Sequence, residues 1–318
     1  MAGRCTGAVG ARALKLTEEE KEKYLRAGEA VKCALGKALD VIEEGASVYH
    51  IAEELEGVIM KRGASPAFPA NISINNVAAH YSPGVGDESV IPHGAVVKVD
   101  VGAHVDGYIA DAALTIALDP RREPLVEAAK RALRAALAAL KPGVELSEVG
   151  SSVESAARSA GFKPISNLSG HLMGRYALHA GKHVPNVRSE PCGKALAGEV
   201  YAVEPFVTDG VGYVVETEGG TIYRLVSAKS AGDAALNRAI KELWSKYRGL
   251  PFSERWVYRE GGGLALSLLR ELAKLRRVYV YPPLVEASNG FVAQFEDTLL
   301  LLPDRALNIT QILELLRK

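Results

Sequence analysis

Alternating apolar and polar residues predict two β-hairpins and a final strand in this chain. The first hairpin covers residues 95–118, which are rich in β-branched side chains. Asp106-Gly107 lies midway, and this dipeptide favours a two-residue turn in which both residues have positive φ. The alternation returns over residues 198–217, where a glycine-rich turn interrupts it, and again over residues 291–302. These segments predict an antiparallel sheet.

Helical periodicity fills most of the sequence between these strands. A helix begins at Thr17, because Thr17 followed by Glu20 is a capping box, and it ends before Gly45. Serine caps place other helix starts at Ser47 and Ser147. Residues 67–88 are rich in Pro, Asn and Gly and are predicted to form a loop. Helices are accordingly predicted at residues 17–45, 47–63, 124–140, 147–160, 230–248 and 263–276.

The order of the elements predicts the fold class. Two helices followed by a hairpin occur twice in tandem, before a smaller helical segment and the last strand. This order predicts a pseudo-symmetric α+β fold in which helices pack on one curved antiparallel sheet. The sequence contains no short-period repeat and no low-complexity tract.

Composition narrows the class of protein. The 318 residues are 48% hydrophobic and 24% charged, which allows one large domain with or without a smaller insertion. The 38 basic and 38 acidic residues balance, so neither a nucleic-acid footprint nor a polybasic membrane anchor is indicated. Cys5, Cys33 and Cys192 lie far apart and form no CxxC pair. No apolar run is long enough to span a bilayer, residues 1–16 read as a loose leader, and a cytoplasmic location is expected.

Four acidic residues lie inside apolar strand segments. Asp100 and Asp111 occupy opposite arms of the first predicted hairpin, and a turn at Asp106-Gly107 puts both carboxylates on one face. Glu204 and Glu296 are each a lone acid in an apolar run. A single strand aspartate is more often a solvated edge residue. Four such carboxylates would repel one another and resist desolvation unless a cation lies between them.

A histidine adds a nitrogen ligand to this set. His171 follows a glycine in the segment NLSGHLMGRYALHAGKHVP, with His179 eight residues later. Four carboxylates are neutralised by two divalent cations, which bridging carboxylates hold roughly 3.5–4 Å apart. Oxygen-rich ligation suits Mn, Fe(II), Co and Zn alike. The remaining histidines left out of this chemistry, and expected at the surface, are His50, His93, His104 and His183.

Five blocks in this order resemble the methionine aminopeptidases of type 2, which have the pita-bread fold. The blocks are AFPANISINNVAAHYSP, KVDVGAHVDGYIADAALT, NLSGHLMGRYALHAGKHVPN, VYAVEPF and YPPLVEASNGFVAQFEDT. The resemblance covers almost all of the chain after about residue 20, and the archaeal members are the most similar. It implies a catalytic domain at residues 17–221 and 279–318 and an inserted small helical subdomain at residues 222–278.

The resemblance also implies a role for each site residue. Asp111 and Glu296 would bridge the two metal ions, Asp100 would complete one shell, and His171 with Glu204 would complete the other. His80 and His179 match the two histidines that contact substrate without binding metal. Glu204 is the candidate proton shuttle to the leaving amine. The methionine pocket would be lined by Phe68, Leu178, Phe206 and Tyr281.

The implied reaction is removal of the first methionine from nascent polypeptides. A hydroxide bridging the two ions would attack the first peptide carbonyl, while the free α-amine binds a metal and a bulky second residue is rejected. The chain would act as a cytoplasmic monomer with transient access to the ribosome. One departure from the family pattern is Asp297, where a histidine is usual. Strand alternation should turn its side chain away from the metals.

Two alternatives remain open from the sequence. A proline-specific dipeptidase or aminopeptidase P would share the fold and a similar metal set, but it lacks the insertion at residues 222–278. A non-catalytic pita-bread relative could bind RNA or ribosomal protein, but such relatives have lost metal ligands. Here all five ligand positions are filled.

Overall fold

Antiparallel strands form five small sheets among residues 16–317, the part of the chain that the computed structural model describes. The predicted leader, residues 1–16, falls outside this part except for Leu16. Strands within the described residues are β1 (Ser65–Pro66), β2 (Asn71–Ile74), β3 (Val77–Ala79), β4 (Val96–Val105), β5 (Tyr108–Ala117), β6 (Lys163–Pro164), β7 (Ser169–Met173), β8 (His183–Pro185), β9 (Val200–Val203), β10 (Phe206–Thr208), β11 (Val214–Glu216), β12 (Ile222–Leu225), β13 (Phe252–Ser253), β14 (Val278–Tyr281), β15 (Leu284–Glu286), β16 (Val292–Gln294), β17 (Asp297–Leu301) and β18 (Ala306–Asn308).

Helices cover these sheets, and the capping box predicted for the first helix is present. The Thr17 hydroxyl accepts from the Glu20 N–H at 3.2 Å, and the Glu20 carboxylate accepts from the Thr17 N–H at 2.9 Å. Both bonds satisfy N–H groups that a helix start leaves without partners. The helices in the described chain are α1 (Glu18–Val41), α2 (Val48–Lys61), α3 (Glu123–Ala139), α4 (Leu146–Ser159), α5 (Ala234–Tyr247), α6 (Glu254–Lys274) and α7 (Ile312–Leu315).

The β4–β5 hairpin is the longest paired unit and fixes the geometry of the site. Its turn is the predicted one, since Asp106 and Gly107 both have positive φ, at 52° and 84°. The register pairs Asp100 with Ala113 and Gly102 with Asp111. Side chains at these four positions share one face of the hairpin. Asp100 and Asp111 are therefore neighbours, as the alternation predicted.

The predicted second hairpin at residues 198–217 is wrong, because β9, β10 and β11 pair with other strands and not with one another. The helix predicted at residues 263–276 begins earlier, at Glu254. Three further local predictions were wrong. The segment 67–88 is not only a loop, because β2 pairs with β4 and β3 pairs with β15. Residues 291–302 are not one strand, because β16 pairs with β10 whereas β17 pairs with β9, and the chain breaks between them. Ser147 does not cap α4. Glu145 occupies that position, and Ser147 lies in the first turn of the helix.

Residues 222–278 have a hydrophobic cluster of their own. This cluster joins α5 and α6 to a three-stranded sheet of β13, β12 and β14. The sequence predicted helices here but not the strands. That this segment is an inserted unit with those bounds stays a prediction.

A buried ion pair attaches this segment to α2. The Arg255 guanidinium is fully buried and bonds the carboxylates of Glu53 and Glu56, the latter at 2.6 Å. The Trp256 indole donates to Glu56 at 2.7 Å, and the backbone N–H of Ala70 donates to the same carboxylate at 3.1 Å. One carboxylate thus connects α2, α6 and the segment that carries Phe68 and Asn71.

Candidate metal centre

The structure brings together all five predicted ligands in one cavity. Asp100 and Asp111 enter it from the β4–β5 hairpin, His171 from β7, Glu204 from the end of β9, and Glu296 from the break between β16 and β17. His171 Nε2 lies 3.7 Å from Asp111 Oδ2 and 3.6 Å from Glu204 Oε1. One ligand atom each from Asp111, His171 and Glu296 lie within 4.8 Å of one another.

Backbone bonds hold the two sides of this site in register. The Glu296 N–H donates to the Ala113 carbonyl at 3.0 Å, so the strand break lies directly beside β5. The Thr298 hydroxyl donates to the Asp111 carbonyl at 2.6 Å and accepts from the Asp111 N–H at 2.8 Å. Asp111 and Glu296 are therefore fixed to each other through their main chains.

A buried lysine on β4, Lys98, connects this strand to two neighbouring backbone segments. Lys98 lies two residues before Asp100 on β4, and its Nζ donates to the carbonyls of Asn75 at 2.9 Å and Val292 at 3.0 Å. Burial lowers the pKa of Lys98 to about 7. Its ammonium ties the β2–β3 turn to the start of β16.

Burial makes the carboxylate cluster unfavourable as a set of anions. It raises the pKa of Asp100 to about 7. Burial first, and then neighbouring carboxylates, raise the pKa of Asp111, Glu204 and Glu296 well above the usual range. Burial lowers the pKa of His171 well below its usual value, so this imidazole is neutral. A neutral imidazole is the form that binds metals.

Unpaired oxygens show that the residues fit divalent cations. Asp100 Oδ1, Asp111 Oδ1 and Glu296 Oε1 are buried and have no hydrogen-bond partner in the described chain. Buried carboxylate oxygens are normally paired, and leaving them unpaired is costly. Four carboxylates and one imidazole are the donors that Mn, Fe(II), Co and Zn accept. Cations would remove both the repulsion and the unpaired oxygens.

Two further histidines line the cavity and are neutral. Burial lowers the pKa of both His80 and His179 to about 4. His80 Nδ1 lies 3.3 Å from the Pro282 carbonyl, and its backbone has a positive φ of 64°. The His179 ring lies 4.3 Å from that of His171. Both side chains therefore border the metal ligands.

The cavity wall includes most of the predicted methionine pocket. Phe68, Leu178 and Tyr281 line it, and the Phe68 ring packs where a side chain at Gly102 would stand. Phe206 is not among the lining residues but is buried in a separate cluster beside Ala79. Sequence reasoning missed four residues of the wall, which are Asn71, Ala79, Ile222 and Pro251.

Asp297 points away from the ligands, as strand alternation predicted. Its carboxylate accepts from the Thr310 hydroxyl at 2.7 Å, from the Ile312 N–H at 2.9 Å and from the Asn308 amide at 2.9 Å. Burial raises its pKa to about 6. The acid that replaces the family's histidine therefore anchors the segment that leads into α7.

Two histidines predicted at the surface are partly buried instead. His50 and His93 are exposed, as expected, but His104 and His183 are half-buried. His104 accepts from the Gly107 N–H at 3.1 Å, and burial lowers its pKa to about 4. His183 pairs with His171 across β8 and β7. Neither lines the cavity.

Known proteins resemble both the sequence and the fold. Residues 22–301 match metallopeptidase family M24. The methionine aminopeptidase of Saccharolobus solfataricus is 43% identical over 302 residues, which cover 94% of this chain and 100% of the relative. A thermophilic Arx1 structure has a TM-score of 0.83 at 19% identity, covering 93% of this chain and 91% of that one. The methionine aminopeptidase structure from Thermotoga maritima has a TM-score of 0.68 at 24% identity, covering 94% and 99%. These two structural likenesses show the shared α+β pita-bread fold.

Proposed function

Because this chain belongs to metallopeptidase family M24, and within it to the archaeal-type methionine aminopeptidases, we propose that it removes N-terminal methionine from proteins whose second residue is small. The observation that carries the proposal is the convergence in one cavity of a neutral histidine and four acids, of which Asp111 and Glu296 are buried and Asp100 and Glu204 half-buried. Relatives that are 37% to 43% identical over most of this chain carry the name methionine aminopeptidase.

The site would hold two divalent cations. Asp111 and Glu296 would be shared between them, Asp100 would complete the ligands of one cation, and His171 with Glu204 would complete those of the other. When bound, such cations act as Lewis acids and lower the pKa of water to near neutrality. Co, Mn, Fe(II) and Zn all suit this donor set. The number and identity of the metals are part of the proposal.

The two neutral histidines would have different roles. A carbonyl oxygen only accepts, so His80 Nδ1 must donate to Pro282, and in a neutral ring Nε2 is then an acceptor. His80 would accept a hydrogen bond from the scissile peptide N–H. His179 has no such constraint and would donate to the carbonyl oxygen as negative charge develops on it.

Glu204 is the proposed proton carrier. Its side chain keeps 14% exposure, whereas those of Asp111 and His171 keep 4% and 6%. It therefore lies on the accessible side of the cluster. Burial, and then the charge of Asp100, raise the pKa of Glu204 well above its usual value. In the metal-loaded site, the ionised Glu204 carboxylate would take a proton from water and pass it to the leaving amine.

The pocket supports methionine as the first residue. Phe68, Leu178, Tyr281, Ile222 and Pro251 give the cavity an apolar wall. An apolar wall suits the polarizable thioether, and a narrow site with polar groups at one end fixes the orientation of the chain terminus. The narrowness of the site would also exclude a substrate with a bulky second residue.

The substrates would be nascent polypeptides in the cytoplasm, reached by a monomer with transient access to the ribosome. No helix in residues 16–317 is long and apolar enough to cross a membrane. The balanced charge gives no support to direct nucleic-acid binding.

A substrate comparison tests this function directly. The purified protein, supplied with Mn²⁺ or Co²⁺, should release methionine from Met-Ala-Ser, and a chelator should stop the reaction. It should leave Met-Trp-Ser intact because of the bulky second residue. Faster cleavage of a non-methionine Xaa-Pro peptide would overturn the assignment in favour of a proline-specific enzyme.

A pair of histidine variants tests the ligand assignment. His171→Ala should lose turnover and bind less metal while its far-ultraviolet circular dichroism stays unchanged. His183→Ala is the matched control, because His183 lies opposite His171 in the strand pair but does not line the cavity. Full activity and full metal content in His171→Ala would reject the assignment.

A further inference from the structure

Asn71 has an unpaired acceptor inside the catalytic cavity. The residue lines the cavity and is only 4% exposed. Its Nδ2 donates to the Pro69 carbonyl at 2.8 Å, which fixes the orientation of the amide. Its Oδ1 is buried and has no hydrogen-bond partner among residues 16–317. Leaving such an acceptor unpaired is costly, so its presence in a cavity wall points to a ligand that donates.

The position of Asn71 narrows the kind of ligand. Asn71 on β2 pairs directly with Asp100 on β4. Side chains of directly paired residues lie on the same face, with Cβ atoms roughly 4.5–5.5 Å apart. The Asn71 side chain therefore lies beside that of Asp100, a proposed metal ligand, and its unpaired amide oxygen would accept from an N–H group held next to the cations. A carbonyl or thioether of a substrate would gain nothing there.

We propose that Asn71 Oδ1 accepts a hydrogen bond from the free α-amino group of the substrate's first residue. This inference rests on the proposed aminopeptidase function. Two backbone donors flank the carbonyl that is attacked, the α-amine of the first residue and the scissile N–H of the second. The scissile N–H is assigned to His80, which leaves the α-amine for Asn71. Asn71 is thus a residue that selects for a chain terminus.

Paired ligands test this contact on the metal-loaded protein. Methioninamide carries the α-amine, and 4-(methylthio)butanamide is the same molecule without it. Isothermal titration of Asn71→Ala should show about tenfold weaker binding of methioninamide, the upper end of what one neutral hydrogen bond contributes. Binding of the des-amino ligand should not change. An equal loss for both ligands, or no loss for either, would reject the proposal.

Two peptide substrates show whether Asn71 binds the α-amine or the scissile N–H. Met-Pro-Ser has no scissile N–H, so Asn71→Ala should slow its hydrolysis about tenfold, as it should for Met-Ala-Ser. A loss confined to Met-Ala-Ser would instead assign Asn71 to the scissile N–H and overturn the proposal. If wild-type protein cleaves neither peptide, the proposed function fails. If the wild type cleaves both peptides, and Asn71→Ala binds methioninamide and 4-(methylthio)butanamide with the same ratio of affinities as the wild type, only this inference fails.

Ser73 supplies the matched control. It follows Asn71 on the same face of β2, it is 1% exposed, and its hydroxyl also has no partner within the described chain. It does not line the cavity. Ser73→Ala should bind both ligands as the wild type does, and an amine-specific loss there would contradict the proposal. Asn71→Val, which favours strands and has no acceptor, replaces Asn71→Ala if that variant is unstable.

Discussion

Removing one partner of the buried Arg255–Glu56 pair should destabilise this protein more than most single replacements do. The side chain of Arg255 is 0% exposed and that of Glu56 is 2% exposed. Glu56→Leu would leave the guanidinium with Glu53 alone, and it would also remove the acceptor for Trp256 Nε1 and the Ala70 N–H.

The expected magnitude follows from these contacts. Breaking a buried ion pair on one side costs about 3–5 kcal/mol when the remaining charge has no other partner. Arg255 keeps Glu53, so this range is the upper bound for Glu56→Leu. The orphaned Ala70 N–H contributes about 1–3 kcal/mol within that range. Typical domains are stable by about 5–15 kcal/mol, so Glu56→Leu should lose a large share of the free energy of unfolding.

Urea unfolding followed by circular dichroism measures this loss. The double variant Glu56→Leu with Arg255→Met should recover the part of the loss that comes from the buried guanidinium, because apolar replacement of a whole buried pair is often nearly neutral. The part that comes from the Trp256 and Ala70 donors should remain. Arg259→Ala is the control. Arg259 bonds Glu53 with a side chain that is 50% exposed, so its removal should cost less than about 1 kcal/mol. A double variant no more stable than Glu56→Leu would refute this reasoning.

Three further predictions concern acidity and packing. In urea titrations, chelated protein should lose stability relative to Mn²⁺-loaded protein as pH rises from about 4 to 7, because burial raises the pKa of Asp100 to about 7. The buried histidines His80, His104 and His179 titrate in both samples and cancel in this difference. A difference that stays constant over this range would contradict the prediction. Burial opposes ionisation of Glu286, but hydrogen bonds outweigh it and hold the pKa of this carboxyl below 4.5. The ionised Glu286 carboxylate therefore stabilises the folded protein above pH 4.5, and this stabilisation is lost as pH falls further. Glu286→Gln should unfold at lower urea than wild type at pH 7, with a gap that closes in acid. Gly102→Ala places a Cβ 2.2 Å from the Phe68 ring and should raise KM for Met-Ala-Ser. Gly57→Ala, whose Cβ meets nothing within 4 Å, should not.

Local geometry explains which parts of the site could be predicted from the sequence. The turn at Asp106-Gly107 fixes the hairpin register, and the register alone puts Asp100 and Asp111 on one face. The two strands around Glu296 could not be separated in the same way. β16 and β17 are three and five residues long and pair with different partners, so one apolar run encodes both.

Other features of the site have no local signal. Ile222 and Pro251 reach the cavity from a segment with its own hydrophobic cluster, so only tertiary packing places them there. Arg255 reads as an ordinary polar residue of a helix, because its acidic partners on α2 are about two hundred residues away in the sequence. Asn71 lies shortly before His80, and a polar residue beside an apolar strand could have been identified from the sequence as a candidate cavity residue.

The proposed metal ligands are spread along the chain from Asp100 to Glu296, and this has a practical consequence. A cut in the exposed loop at residues 226–233 would leave four of the ligands on one fragment and Glu296 on the other. Neither fragment alone could complete the set of bridging carboxylates. Hydrolysis of a methionyl peptide by the mixed fragments would therefore act as a complementation assay that reports reassembly of the two pieces.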